Sequence, residues 1–200
     1  MPNQDLSSIY HTDICLVDQK LKGLYNNGGK LLDAGCGSGR NLSWFVLQPN
    51  IDVFATDISN DAVTYLAQSF PSLRQEQLIC APAQQLPFSD AFFDHIICSA
   101  VLHFAESEAD FFHMFSGLNR VLKPGGSLFI RMASDIGLET FVQPLGDGRF
   151  FLPDGSNRFL LTRVLIKQLT ERYPMTFIEP VKTTNVQDIR CMTTLVMLKK

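Results

Sequence analysis

Apolar and polar positions alternate in blocks along the chain, and the period within the blocks switches repeatedly between helical and extended. In residues 13–25 (DICLVDQKLKGLY), Ile14, Val17, Leu21 and Leu24 recur at helical spacing behind Asp13, which suits an N-cap, and NNGG at 26–29 ends the segment. KLLDA (30–34) predicts a first strand. NLSWFVL (41–47) predicts a helix running toward Pro49, DVFATD (52–57) a second strand, and Ser59 through DAVTYLAQSF a further helix. QLICA (77–81) and HIICSAV (95–101) predict strands three and four, the latter apolar enough to be covered on both faces. A helix over 106–122 stops at KPGG (123–126), read as a helix-to-strand turn, and SLFIRM (127–132) predicts a fifth strand.

After residue 133 the pattern changes. RFFL and RFLL flank PDGSN, where Pro-Asp-Gly favours a turn, so a hairpin is expected ahead of a helix at 162–173. MTFIEPVKT and CMTTLVMLK then predict two strands joined through NVQDI, a connection too short for a crossover helix, which makes the pair antiparallel. The expected fold class is α/β: a Rossmann-like three-layer sandwich on a seven-stranded, mostly parallel sheet with the last strand antiparallel.

Composition narrows the function classes. A chain of 200 residues with 46% hydrophobic content is long enough for one sizeable core. Its net charge of -3 and lack of a basic block give no electrostatic footprint for nucleic acid. No uncharged apolar stretch approaches the roughly 18 residues of a membrane helix, and the first residues have no basic-then-apolar leader, so a cytoplasmic protein is expected. Cys15, Cys36, Cys80, Cys98 and Cys191 stand singly, which argues against both a disulfide framework and a metal site.

The candidate chemistry begins at KLLDAGCGSGRN (30–41), where a strand ends in Asp33 and glycines follow at 35, 37 and 39. In an open α/β sheet, such a turn lies where ligands bind, and glycine lets backbone N–H groups approach them while the next helix adds its positive end. A dinucleotide fold wants G-x-G-x-x-G, yet position 40 is arginine. Asp57, ending the second strand, has the spacing of an acid that accepts from both ribose hydroxyls of an adenosine. A nucleoside fits both readings; the phosphates divide them.

LLDAGCGSGRN, FATDIS, AQQLPFSDAFFDHIICSAVLHF and RVLKPGGSLFI together resemble the class I S-adenosylmethionine-dependent methyltransferases, in the small-molecule branch with the LPF-x-D-x-x-FD signature (methyltransferase type 11-like). The resemblance covers roughly residues 30–132. It implies S-adenosyl-L-methionine as cofactor and S-adenosyl-L-homocysteine as product. Gly35, Cys36, Gly37 and Gly39 would wrap the methionine half and ribose, and Asp33 would fix that loop or reach the amino group, directly or through water. Asp57 would take the ribose hydroxyls, Ile58 would pack on adenine, Ala83 would present its backbone to the adenine edge, and Ser99 would lie near the methionine amine. Relatives often carry an acid just before Ala83 where this chain has Pro82, with Gln84 a substitute.

One domain over 1–200 is expected: 1–29 an N-terminal helical cap, 30–132 the cofactor-binding core, 133–161 an inserted hairpin or lid, and 162–200 a C-terminal helix and antiparallel strand pair. A sulfonium methyl is already activated, so transfer is an in-line displacement that depends on alignment in a dry pocket. His103, just past the fourth strand, is the candidate general base, with a pocket wall the plainer reading. Tyr10, His11 and Arg149 are candidate substrate contacts, although aromatics on a hairpin more often pack it onto the body. The expected partner is a small-molecule acceptor, with no nucleic acid, membrane or metal, in a monomer or homodimer. The competing classes are an NAD(P)-dependent oxidoreductase and a non-catalytic cofactor-binding relative.

Overall fold

A computed structural model describes residues 11–200 of the chain. Helix α1 (Ile14–Leu21) begins at Asp13, whose side chain accepts from the Cys15 N–H. The first strands are β1 (Gly29–Ala34) and β2 (Ile51–Asp57), followed by α2 (Asn60–Ser69), capped by Ser59. Then come β3 (Leu78–Cys80), β4 (Phe93–Ser99), α3 (Glu108–Val121), capped by Ser107, and the long β5 (Leu122–Ser134). Strands β6 (Gln143–Gly146), β7 (Arg149–Phe151) and β8 (Asn157–Phe159) form a small separate sheet, and α4 (Arg163–Arg172), β9 (Met175–Phe177), β10 (Lys182–Val186) and β11 (Arg190–Lys199) complete the chain.

The main sheet runs β10-β11-β5-β4-β1-β2-β3, with β9 on the same edge of β11 as β10. Pairing is parallel from β3 to β5 and antiparallel at β11. Successive residues face opposite layers. Leu32, Phe54, Ile96 and Ile130 pack with α3 and α4, whereas Leu31, Val53, Ile97 and Phe129 pack with Leu16 of α1 and Leu66 of α2. Helices therefore cover both faces, and the α/β three-layer expectation holds.

Four details depart from the sequence reading. The sheet has eight strands because the segment read as MTFIEPVKT splits. Pro180 has no N–H to give a ladder, and Glu179 beside it turns out to Lys22, Gln19 and Lys182. The helix expected at 41–47 does not form. Only a 3-10 turn at Phe45–Leu47 appears there, since seven residues ahead of Pro49 are too few to repay helix nucleation. In α1 the buried residues are Leu16, Val17, Gln19 and Lys20, while Ile14 and Leu21 are exposed. The Asp13 to Arg131 ion pair (2.9 Å) sets that rotation. Finally, KPGG sits inside the pairing of β4 with β5: Phe93 pairs with Leu122 and His95 with Ser127, so residues 123–126 loop out of the ladder.

The small sheet also exceeds the predicted hairpin, since β6 joins β7 across Asp147 and Gly148. Its two ends meet at the main sheet, where Ser134 bridges Leu161 and the Leu161 N–H donates to the Ala133 carbonyl (3.0 Å), and Phe159 stacks on Phe111 of α3.

Candidate active site

The crevice opens at the carboxyl ends of β1, β2 and β4, where the strand order turns from one side of β1 to the other. Gly35 leaves β1 with φ +78°, and a Cβ there would stand 2.2 Å from a Val101 methyl, so the backbone conformation and the close approach both demand glycine. At Gly37 (φ +52°) a Cβ would meet nothing within 4 Å, which leaves the turn open toward the crevice.

The turn's amides are already engaged. Those of Gly35 (2.7 Å) and Cys36 (2.9 Å) donate to the Thr56 carbonyl, that of Gly37 to Asp57 Oδ2 (2.8 Å), and that of Gly39 to the Cys36 carbonyl (2.9 Å). The sequence reading offered these groups, and a helix N-terminus behind them, to a ligand. Those four donors are taken, three by the end of β2 and one within the turn, and no α-helix follows. A diphosphate would find no cradle.

The site instead collects acceptors. Asp57 holds the turn with Oδ2 and the start of α2 with Oδ1, which accepts from the Ser59 N–H (2.9 Å). Asp33, at the end of β1, is fully buried, and its Oδ2 accepts no hydrogen bond among the described residues. Burial pushes its pKa up to about 7; Arg40 opposes the shift and Asp57 adds to it. Asp110, on the first turn of α3, receives the Gln84 amide (2.8 Å) and the Glu106 N–H (3.0 Å).

Asp57 and Asp110 line a cavity of about 530 Å³ that brings together the predicted Gly35, Gly37, Asp57, Ile58, Ala83 and Gln84. Asp33, Cys36, Gly39 and Ser99 stand behind the wall and do not line it. Ser99 bridges Arg40 (3.4 Å) and Asp13 (3.5 Å). Burial raises the Cys36 thiol pKa well above its ordinary value, so it stays protonated. Glu106, Asp110 and Met114 also line the cavity and were missed by the sequence reading; acids at the start of α3 look like ordinary helix-dipole partners. The loop carrying Ala83 is set by α3, which approaches so closely that a Cβ on Gly117 would lie 2.0 Å from the Ala83 carbonyl oxygen.

A family model for the methyltransferase domain matches residues 32–130. Over that segment the chain is a class I S-adenosylmethionine-dependent methyltransferase domain. A tRNA (carboxymethyluridine(34)-5-O)-methyltransferase of Arabidopsis thaliana is 33% identical over 104 residues, covering 52% of this chain and 24% of that protein. A malonyl-[acyl-carrier protein] O-methyltransferase of Marinomonas sp. is 32% identical over 103 residues, covering 50% and 37%. The matched segments thus span well under half of these curated relatives. Among solved structures, the PH0226 protein of Pyrococcus horikoshii superposes with a TM-score of 0.72 at 20% identity over 100% of this chain and 93% of its own. The 1,6-didemethyltoxoflavin-N1-methyltransferase of Burkholderia thailandensis, crystallised with 1,6-didemethyltoxoflavin and S-adenosylhomocysteine, gives 0.70 at 16% identity over 98% and 80%. Likeness at this level is likeness of fold.

A second cavity, of about 300 Å³, adjoins the first and shares Ala100 and Phe104 with it. Ala100 has φ +63°, a conformation that costs an L-residue energy, at the junction of the two spaces. His103 lines the second cavity. Its Nδ1 accepts from the Ala133 N–H (3.2 Å), so the ring proton sits on Nε2. Burial, with Arg158 and Arg190 adding to it, lowers its pKa to about 4. Arg149 lines neither cavity; it forms an ion pair with Glu106, tying β7 to the rim of the first. His11 is exposed and lines neither cavity, and Tyr10 lies outside the described residues. Among the described residues no group of three or more His, Cys, Asp or Glu is placed to hold a metal, and no helix is long and apolar enough to cross a membrane.

Proposed function

We propose that this chain transfers a methyl group from S-adenosylmethionine to a small-molecule acceptor by in-line displacement. The observation that carries the reading is the cavity walled by Gly35, Gly37, Asp57, Ile58, Ala83 and Gln84, beside a glycine turn whose amides at 35, 36 and 37 are held by β2. That arrangement suits a cationic ligand with a sugar and an amino-acid tail, and it opposes a diphosphate, so the dinucleotide-dependent oxidoreductase has no support. When bound, S-adenosylmethionine supplies an electrophilic methyl carbon that needs no protein nucleophile.

The chain's own residues bind, orient and exclude water. Asp57 is assigned the ribose hydroxyls, Asp33 the glycine turn and, through a water, the cofactor's ammonium group, Ile58 the adenine face, the Ala83 backbone the adenine edge, and Asp110 with Gln84 the polar group that Pro82 leaves unserved. His103 is assigned a role revised from the sequence expectation. With Nδ1 occupied and its pKa depressed, it donates from Nε2 and does not abstract a proton near neutral pH. The small sheet β6 to β8, tied down through Arg149, is assigned the roof.

One relative's name specifies tRNA, yet here the cationic groups near the junction line a cavity of about 300 Å³, which favours a small acceptor. The test is thermal melting with S-adenosylhomocysteine and, separately, with NAD. The first should raise the midpoint in proportion to ln(1 + [L]/Kd), and the second should leave it unchanged. Equal shifts, or none with the nucleoside, would overturn the reading.

A further inference from the structure

Four of the chain's nine arginines, Arg40, Arg131, Arg158 and Arg190, converge on the second cavity from the glycine turn, β5, β8 and the start of β11. Asp154 is the one carboxylate among the described residues that line it. This reverses the sign of the whole chain, whose net charge is -3, and of the neighbouring cavity, which carries Asp57, Glu106 and Asp110.

The local charges are poorly neutralised. Arg131 is matched by Asp13 at 2.9 Å, but Arg190 approaches Asp154 only to 3.9 Å. Arg40 and Arg158 have no carboxylate within 4 Å among the described residues. The Arg40 guanidinium donates to Ser99 Oγ at 3.4 Å, and that of Arg158 donates to the Asn157 carbonyl and lies 5.0 Å from the Phe104 ring centre. Arg40 and Arg190 stay exposed, so the cost of gathering four cations with too few counter-ions is mostly mutual repulsion, which an anion seated among them relieves. Guanidinium forks match the planar oxygens of carboxylate and the faces of phosphate, in charge-assisted bonds stronger than neutral ones. The Nε2–H of His103 adds a neutral donor to the same wall.

We infer that the methyl acceptor is a small anion, carrying a carboxylate or a phosphoryl group that sits among Arg40, Arg158 and Arg190 while its nucleophilic atom faces the first cavity across Ala100 and Phe104. The two cavities then sort their ligands by sign: the acidic one takes the cationic donor and the basic one takes the anionic acceptor. This rests on the methyltransferase reading and names the substrate class for it.

The experiment uses the full chain loaded with S-adenosylhomocysteine. Malonate, benzoate and phenyl phosphate are each compared with a neutral counterpart, respectively malonamide, benzamide and phenol, by thermal melting. At least one anion should stabilise the loaded protein saturably while its counterpart does not. Arg158→Gln with Arg190→Gln should weaken that response at least tenfold and leave S-adenosylhomocysteine affinity within twofold. Equal responses from acid and counterpart, no response from any acid, or an unaltered response in the double variant would each overturn the proposal. A protein that fails to bind S-adenosylhomocysteine but keeps the arginine-dependent anion response would overturn the methyltransferase reading alone. For turnover, a deproteinised cell extract is split by anion exchange and assayed with methyl-labelled S-adenosylmethionine. Acceptor activity should lie in the retained fraction, and activity confined to the unretained fraction would sink the inference. Phosphatase treatment of the retained fraction separates the sources: a phosphoryl acceptor loses activity and a carboxylate keeps it.

Discussion

The Asp33 carboxylate is buried at the end of β1 and keeps its proton until about pH 7, whereas the unfolded chain gives it up near the ordinary value of 3.8. Between those limits the folded state binds more protons than the unfolded one, so this group makes stability fall as pH rises through that window, with the loss complete above it. Asp33→Asn removes the effect. Its unfolding free energy relative to wild type should be near zero at pH 4 and reach about 4 kcal/mol in the variant's favour above pH 7, measured by urea denaturation across pH. The same variant should bind S-adenosylhomocysteine at least tenfold more weakly at pH 8, since a neutral amide no longer attracts an ammonium group. At Ala100 the positive φ gives a second prediction: Ala100→Gly relieves a conformation that costs an L-residue about 1 kcal/mol and should raise the calorimetric midpoint. Acids ending the strands were legible in the sequence because motif order fixes their place. Arg131 and Arg190 were not, because only the closed sheet and its roof bring residues so far apart to one wall.

Among the elements, the strongest constraint falls on α3. Gly117 lets the helix touch the Ala83 carbonyl, and Gly117→Ala must push helix and loop apart. The expected cost is about 1–3 kcal/mol by chemical denaturation, together with weaker S-adenosylhomocysteine binding because the loop at 81–85 forms one side of the cavity. The elements that could be read from the chain are those with both a periodic pattern and a local stop, such as α2 behind Ser59, α3 behind Ser107 and α4 behind Thr162. Those that escaped depend on distant partners. The 41–47 segment packs Leu42 and Phe45 against the sheet without helical turns, and α1 turns its buried face according to an ion pair 118 residues away in sequence. The break between β9 and β10 follows from the side-chain ties of Glu179 to α1.

For the molecule as a whole, the Arg149–Glu106 pair joins the small sheet to the main body across the mouth of the first cavity. Both side chains are partly solvated, and a surface pair of this kind contributes about 0–1 kcal/mol. Arg149→Ala should therefore leave the global unfolding midpoint nearly unchanged while amide exchange accelerates in 143–159 alone. Unchanged exchange there would show that the apolar contacts of Leu152 and Leu160 with Ala133 secure the sheet unaided. Because the chain departs at Ser134 and returns at Leu161, two residues that touch, everything between them is a cassette whose two ends share one socket, pinned further by Phe159 on Phe111 and by Leu152 and Leu160 on Ala133. Apart from those buried side chains, its length and sequence can drift without disturbing a strand of the main sheet. Grafting a different span between those two residues should yield a chimera that still folds and grips the donor nucleoside while accepting another class of molecule.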